Sequence, residues 1–453
     1  MLRIALPALA EEFLVLMVTW TDWLLASRYF VEDGDATKAA MGLMAYLMWL
    51  IPSLFAVVAI GATALIARWI GANELTLARK AANQAYFVAV FIALALTTVV
   101  WLFGKQFILL MQLEGDAAEY AHQYLRIITP LIPWIMLSQV GAACLRGAGD
   151  TFSGFATKLV VVIVNLIVSI TLVVGLGPIE PIGWKGIAIG TASGYAVGGT
   201  IIFALLVFGR AGLKLRLRWM LPDVSILKKM FRIGIPGGFD IATLLFCQLL
   251  FLAIINSLGK ASAAAHGLAV QIEACAFLPG AAFQVAAATM AGQFLGAGAN
   301  RRASRSTVLC LALGGAIMCI SGLGMYFYGV EIAAFFTGDP SHPTTLTVGR
   351  LLKIISIGLP SLAIVMIVSG GFRGSGDTLW LFYFTAFGFL VVRIPLACLL
   401  AFDAFEIPLL GLTINGFGWG VAGAWYAMLV DVVIRSFMTL ARFFHGGWKH
   451  IKI

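Results

Sequence analysis

Residues 145–151, LRGAGDT, recur almost unchanged as FRGSGDT at residues 372–378. The arginines of the two copies are 227 residues apart, and the prolines of LPALAEEF and IPGGFDIA, Pro7 and Pro236, are 229 apart. A third pair, ALIARWIGANELTLARKAA and TMAGQFLGAGANRRASRST, recurs with an offset of 225. A near-constant offset across three motifs indicates an internal duplication of the chain.

The composition is that of a membrane protein. Of 453 residues, 61% are hydrophobic and 11% are charged, whereas a soluble domain carries roughly 25% charged residues. This excludes a soluble enzyme and a disordered chain. Runs of about 20 apolar residues suffice to span a bilayer. Twelve spans are predicted near 4–27, 40–67, 84–111, 123–145, 157–176, 186–209, 231–257, 264–293, 306–329, 347–370, 380–402 and 418–444.

The duplication and the twelve spans together predict the fold class. Each half holds six spans, so we expect an all-α polytopic protein built from two pseudo-symmetric six-helix lobes. The expected domains are an N-lobe (1–209), a cytoplasmic linker (210–230) and a C-lobe (231–453). Because six spans return the chain to its starting side, the repeats should be parallel. Internal prolines such as Pro130 and Pro279 are expected to break their helices.

The distribution of charge predicts the orientation. The net charge is +9, and the Lys and Arg residues concentrate after even-numbered spans and in the C-terminal tail, above all within 210–232. Cytoplasmic loops carry such a basic excess. Both termini should therefore be cytoplasmic, and the basic residues are not taken to indicate a nucleic-acid partner.

Common enzyme and metal motifs are missing from the sequence. The six cysteines lie in apolar stretches without CxxC spacing, which gives no support for a metal site or a disulfide framework. HExxH, GxSxG and Walker-type motifs do not occur. We therefore expect neither an enzyme nor a bound cofactor.

Asp22 is the leading candidate for a functional residue. It lies deep in span 1, in VTWTDWLLAS, with no basic residue within one helical turn. A charge at the centre of a bilayer helix costs roughly 2.5–3.5 kcal/mol on insertion scales, and burial disfavours the ionised form of a carboxylate. Such a group suits reversible binding of a proton or another cation.

Four other ionisable residues within spans are candidates for cavity-lining or coupling roles, and structural pairing is the alternative for each. Glu11 is close to three helical turns before Asp22, and Asp240 occupies a similar place after Pro236. The remaining two are Glu273 in span 8 and Arg393 in span 11, whose repeat equivalent in span 5 is Asn165.

Three ion pairs are expected from sequence spacing alone. One has i,i+4 spacing in span 12, where the two side chains share a helix face. The other two would close the repeated RGxGD turns, whose glycines permit tight loops. The pairs are Asp431 with Arg435, Arg146 with Asp150, and Arg373 with Asp377.

These features resemble the multidrug and toxic compound extrusion (MATE) transporters over essentially the whole chain. The resemblance rests on the two six-span repeats, the paired RGxGD motifs, and GATALIARWIGA with ATMAGQFLGAG. The spacing from Pro7 to Asp22 is also similar, as are VQIEACAFLP around Glu273 and VRIPLA around Arg393. It implies a polyspecific antiporter of the inner (plasma) membrane that exports organic, often cationic compounds, with a complete pathway in one monomer.

The resemblance also implies a cation or proton site in the N-lobe. Members of the DinF-like branch use a first-span aspartate, matched by Asp22, and a fifth-span asparagine, matched by Asn165. The sixth-span threonine corresponds to Thr191, while Ser169 stands where some members have a second aspartate. With one carboxylate only, the site favours proton coupling, and Na⁺ is the alternative.

Two other functions remain as alternatives. A lipid-linked precursor flippase of the same superfamily would present several basic cavity residues, of which Arg393 alone is a candidate. A channel would need a repeated filter ring, and a membrane enzyme would need a nucleophile and a base. Neither arrangement stands out in the sequence.

Overall fold

The computed structural model describes residues 1–29, 34–110, 115–175, 180–407 and 412–451. The chain divides into two compact units, Leu2–Gly234 and Ile235–Ile453. The boundary between them falls inside one continuous helix, Val224–Ser257.

The N-terminal unit is built from eight described α-helices and short connecting turns. They are α1 (Leu2–Tyr29), α2 (Gly34–Leu54), α3 (Ala56–Gly71), α4 (Leu75–Leu110), α5 (Gly115–Ile128), α6 (Ile132–Gly147), α7 (Thr151–Ile170) and α8 (Lys185–Val207). A π-helical turn, Thr171–Gly175, continues α7. Helix α9 (Val224–Ser257) then crosses into the second unit.

The C-terminal unit contains six further helices and a short hairpin. The helices are α10 (Lys260–Gly296), α11 (Asn300–Thr337), α12 (Pro343–Ser375), α13 (Thr378–Ala386), α14 (Ile394–Ala401) and α15 (Gly420–His445), with a π-helical segment, Phe387–Arg393, between α13 and α14. The hairpin strands, β1 (Ala404–Ile407) and β2 (Leu412–Asn415), pair antiparallel in the register Ala404↔Asn415 to Ile407↔Leu412. This hairpin was not anticipated from the sequence.

The predicted all-α class is confirmed, since helical segments occupy all twelve predicted spans. By length and hydropathy, nine described helical segments could each cross a bilayer. Several are longer than the apolar runs suggested. Helix α4 has 36 residues and is about 54 Å long, so it extends well beyond a hydrocarbon core of about 30 Å.

The prolines act differently in two of the spans where breaks were expected. Pro130 lies in a 3₁₀ turn, Thr129–Leu131, which separates α5 from α6 as predicted. The break expected at Pro279 is wrong, because α10 runs through it without interruption. Neighbouring helices can accommodate the lost backbone hydrogen bond within a membrane protein.

The glycines of the two RGxGD motifs have two different structural roles, one in the turn and one in helix packing. The later glycines, Gly149 and Gly376, have φ angles of 89° and 85° and form the turns. The earlier ones let helices approach closely, a role the sequence analysis had not assigned. A Cβ on Gly147 would lie 2.8 Å from the carbonyl oxygen of Thr63 on α3.

In the C-terminal unit, α12 meets α10 through the same kind of contact. Gly370 and Gly374 are one turn apart, on the same face of α12. A Cβ on either would overlap the backbone of α10, with carbonyl carbons at 2.9 Å for Gln284 and 2.7 Å for Ala288. Small residues at this spacing permit close backbone packing between membrane helices.

Gly374→Ala should therefore lower the free energy of unfolding by about 1–3 kcal/mol, the usual effect of overpacking. Thermal unfolding in detergent measures this change. The matched control is Gly324→Ala in α11, where an added Cβ meets no atom within 4 Å. Equal stability of the two variants would contradict the packing argument.

Candidate functional site

A row of glycines on α8 brings that helix against α7. Gly186, Gly190, Gly194 and Gly198 recur every fourth residue and so share one face. A Cβ on Gly194 would lie 3.0 Å from the Val161 carbonyl oxygen, and one on Gly190 would collide with the side chain of Ser169. This close approach sets the polar side chains of the two helices beside each other.

A chain of hydrogen bonds links three of the predicted site residues. The Asn165 amide on α7 donates to the Thr191 hydroxyl on α8 (3.1 Å). That hydroxyl donates in turn to Asp22 Oδ2 on α1 (2.9 Å). All three side chains are buried. Residues separated by up to 169 positions thus form one polar cluster inside the N-terminal unit.

Three oxygens of this cluster have unused hydrogen-bonding capacity. Asp22 Oδ1, Asn165 Oδ1 and the Ser169 hydroxyl are buried and have no hydrogen-bond partner among the described residues. No basic side chain of the described chain forms an ion pair with Asp22. Because a buried polar group without a partner is costly, these oxygens mark a place that can bind a cation or a proton.

Tyr124 on α5 belongs to the same surroundings and was missed in the sequence. Its ring is buried, and it interacts electrostatically with Asp22 and through its phenol with Thr191. The only signal in the sequence is a hydroxyl within an apolar span. Several tyrosines share that signal, so it could not have singled out this one.

Glu11 is not in the cluster around Asp22, although both lie on α1. Its Oε1 is 3.3 Å from Arg146 Nη1 at the end of α6. The expected pair between Arg146 and Asp150 is therefore wrong. Asp150 caps the N-terminus of α7, accepting from the backbone N–H of Ser153 (3.0 Å) and from its hydroxyl (2.8 Å).

Asp150 forms its ion pair with Arg210, which follows α8, at 2.7 Å. Burial raises the pKa of the Asp150 carboxyl, but the hydrogen bonds from Arg210 and Ser153 outweigh burial and bring the pKa below its usual value. The RGxGD aspartate thus ties the start of α7 to the end of α8 rather than closing its own turn.

The C-terminal unit repeats this arrangement. Asp240 on α9 accepts from Arg373 (3.0 Å) and from the Thr385 hydroxyl (2.5 Å), so the expected pair of Arg373 with Asp377 is also wrong. Asp377 pairs instead with Arg442 at the end of α15 (2.9 Å). Burial raises the pKa of Asp377, against the opposing effect of Arg442.

Arg393 lies in a buried three-residue ion cluster. Its Nη2 is 2.7 Å from Asp431 Oδ2, while Arg435 Nε is 2.8 Å from Oδ1 of the same carboxylate. The i,i+4 pair of Asp431 and Arg435 is thus confirmed, with Arg393 as a third member. The Phe389 ring lies 4.1 Å from the Arg393 guanidinium and 4.8 Å from that of Arg435. Two cations share one carboxylate.

Glu273 on α10 is half-buried and interacts electrostatically with Arg393. When ionised, its carboxylate balances the extra positive charge of the cluster around Asp431. Nearby on the same helix, the imidazole of His266 accepts a hydrogen bond from Trp425 Nε1 (3.2 Å) and packs against Phe251. Glu273 and Arg393 lie in different spans, and no spacing along the sequence connects them.

Asp431→Asn should destabilise the protein strongly, because it leaves two buried guanidinium groups without their shared carboxylate. Losing one member of a buried ion pair typically costs about 3–5 kcal/mol. Thermal unfolding in detergent measures the loss, with the exposed Asp116→Asn as the matched control. Unfolding temperatures that agree for both variants would show that the cluster contributes little.

Sequence comparisons extend over nearly the whole chain. The MatE family model matches residues 7–171 and 236–399, one segment in each half. The chain is 26% identical to the probable multidrug resistance protein NorM of Thermotoga maritima, over 99% of this chain and 92% of that protein. It is 24% identical to the multidrug resistance protein MdtK of Pectobacterium atrosepticum, over 96% and 94% of the two chains.

Solved structures share the fold. A MATE crystal structure in the bent conformation superposes with a TM-score of 0.86 at 19% identity, covering 98% of this chain and 95% of the other. An outward-facing MATE family transporter of the MOP superfamily gives 0.88 at 18% identity, covering 100% and 96%. The chain belongs to the multidrug and toxic compound extrusion (MATE) family of multi-pass membrane transporters, and it is not an enzyme.

Proposed function

We propose that the chain is a cation-coupled antiporter that exports organic, often cationic compounds by alternating access. The observation that carries this proposal is the buried carboxylate of Asp22, which accepts from the neutral Thr191 hydroxyl and forms no ion pair with any residue that the structure describes. The relatives described as multidrug resistance proteins support export of organic compounds. A lone intramembrane carboxylate supports coupling to a cation.

We further infer that the coupling ion is a proton. The cluster of Asp22, Asn165, Ser169 and Thr191 holds a single carboxylate, so one proton neutralises it completely. Protonation would also turn Asp22 Oδ1 into a donor beside oxygens that lack partners. Sodium is the alternative, because the same oxygens are ligands of the type that hard cations bind.

The cycle follows from the charge on Asp22. Facing outward, Asp22 takes up a proton, which removes the negative charge that holds a cationic substrate. The Thr191 hydroxyl then no longer solvates a carboxylate, and α1 can repack against α7 and α8. Facing inward, Asp22 loses the proton and can bind substrate again. Proton and cationic substrate thus compete for one carboxylate, and binding of one releases the other.

The other candidate residues are assigned by their contacts. Glu11 and Asp240 each pair with the arginine of an RGxGD motif, and we assign them to holding α1 and α9 in place. Glu273 is half-buried and forms no ion pair with a described residue, and we retain it as a coupling or cavity residue of the C-terminal unit. We assign Arg393 to compensating the negative charge of Glu273 when that carboxylate is ionised.

The remaining assignments follow from charge and resemblance. From the basic loops we propose that both termini lie in the cytoplasm and that the protein sits in the plasma membrane. Asp22, Asn165 and Thr191 favour the DinF-like branch, and one chain is the proposed functional unit. A lipid-linked precursor flippase has less support, because Arg393, its candidate for binding a pyrophosphate, is already shared with Asp431.

Asp22→Asn should abolish ethidium efflux, because the amide can neither ionise nor bind a proton in this pH range. Uptake of ethidium into everted membrane vesicles energised by respiration measures this, because an exporter pumps into the lumen of such vesicles; the assay is repeated with a proton uncoupler and with sodium omitted. The control is Asp116→Asn, the same substitution at an exposed position. Full activity of Asp22→Asn would overturn the role of this site, and efflux driven by sodium alone would overturn proton coupling.

Ser169→Asp should make efflux responsive to a sodium gradient, since it adds a second carboxylate to the cluster. Ser169→Asn has nearly the same size without the charge, and it serves as the control for crowding against Gly190. Proteoliposomes with an imposed sodium gradient and no pH gradient provide the measurement. An identical response of the two variants would show that charge at this position does not select the ion.

A further inference from the structure

Residues 210–232, which run from the end of α8 into the first turns of α9, are strongly basic, and we call them the basic connector. It contains one acidic residue, Asp223, and seven basic ones: Arg210, Lys214, Arg216, Arg218, Lys228, Lys229 and Arg232. The Asp223 carboxylate accepts from the backbone N–H groups of Ser225 (3.1 Å) and Ile226 (3.3 Å) at the start of α9. It is therefore used as a helix cap.

Side chains of α4 hold the first part of the connector by its backbone. The buried Asn83 amide donates to the Lys214 carbonyl (3.0 Å) and accepts from the Arg216 N–H (2.8 Å). Arg79, one turn earlier, donates to the Gly212 carbonyl (2.7 Å). This part of the connector is ordered although it contains little regular secondary structure.

Gln84 holds the second part in the same way. Its amide nitrogen donates to the carbonyls of Trp219 (2.8 Å) and Leu221 (2.7 Å), and its oxygen accepts from the Asp223 N–H (3.0 Å). Gln84 directly precedes the apolar stretch AYFVAVFIALAL of α4. The connector is thus fixed at the level where α4 enters its apolar region, which is the membrane–water boundary.

The connector turns part of its apolar surface away from the protein. Leu213 and Leu215 are 0% and 7% exposed and anchor it to the N-terminal unit. By contrast, Leu217, Leu221 and Val224 are 86%, 74% and 75% exposed. These three lie outside the predicted spans, so their exposure is not explained by a place in the hydrocarbon core.

Two arginines of the connector lie close to the ring of one tryptophan. The guanidinium groups of Arg216 and Arg218 lie 4.9 and 5.1 Å from the Trp219 ring centre. Both side chains are exposed, and neither forms an ion pair with a described residue. Two cations are thereby held close together, with their charge free to meet an anion.

We propose that the basic connector docks onto the headgroups of acidic phospholipids. Exposed basic residues beside leucine and tryptophan are typical of segments that lie in the membrane interface, and basic residues near an anionic bilayer surface are attracted to it. Lipid also accounts for the exposed leucines, because the upper part of the acyl chains would cover them. A soluble anion would leave them exposed. In the proposed orientation the lipids belong to the cytoplasmic leaflet.

The test uses the full-length protein in phosphatidylcholine nanodiscs containing brominated phosphatidylglycerol or, for comparison, brominated phosphatidylcholine. Quenching of Trp219 is the difference in fluorescence between the wild type and Trp219→Phe, measured in each lipid. We expect stronger quenching by phosphatidylglycerol, and weaker preference at high salt because exposed charges are screened. Each variant below is read against its own Trp219→Phe partner.

Arg216→Gln with Arg218→Gln should lower the preference for phosphatidylglycerol roughly tenfold or more, since each basic residue near an anionic surface contributes separately. Arg216→Lys with Arg218→Lys should keep most of it. The matched control is Arg301→Gln with Arg302→Gln, which removes two exposed charges at the start of α11 and should leave the preference unchanged.

Three results would overturn the proposal. The first is equal quenching of Trp219 by the two brominated lipids. The second is an equal loss of the preference for phosphatidylglycerol in the Arg301 and Arg302 control. The third is complete loss of that preference when inorganic phosphate is added. The last would indicate a site for small anions. This measurement needs no transport and no particular orientation, so its failure and the failure of the proposed antiport are separable.

Discussion

The bilayer core cannot solvate charge, and this constraint organises the polar residues of the molecule. A charged side chain within a span is stable only when the protein supplies its partner. Asp431 has two guanidinium groups and Asp240 has an arginine and a hydroxyl. Against that pattern Asp22 stands out, because its described partner is the neutral hydroxyl of Thr191. At the site proposed for coupling, no basic side chain of the described residues forms an ion pair with the carboxylate.

The duplication reproduces the ends of the helices more faithfully than their centres. In both units an acid of the first span pairs with the RGxGD arginine, and the RGxGD aspartate pairs with an arginine at or just after the end of the last span. The centres have diverged. Where the N-terminal unit has Asn165, the C-terminal unit has Arg393. One unit thus presents a lone carboxylate among neutral oxygens, and the other presents a cluster with two cations.

Charge at the membrane boundary follows a different rule, because water and lipid headgroups are available there. Arg210 has a carboxylate partner in Asp150, whereas Arg216 and Arg218 stack on Trp219. The connector depends on Asn83 and Gln84, two neutral amides that bind backbone groups. Because these two amides are neutral, they leave the basic side chains of the connector available for external anions, although Arg79 also holds the connector through the Gly212 carbonyl. Arginine is thus structural at position 210, and it is available for binding at positions 216 and 218.

The sequence by itself determined the class, the twelve spans and the duplication, because hydropathy and repeat offsets can be read along the chain; it also singled out Asp22 as the leading candidate, which stays a prediction. The i,i+4 pair of Asp431 and Arg435 was predictable for the same reason. Only the tertiary structure decided the other partners. Arg146 pairs with Glu11 and not with Asp150, which is four residues away. Arg373 pairs with Asp240, 133 residues away. Helix packing sets those distances, and no spacing along the chain encodes them.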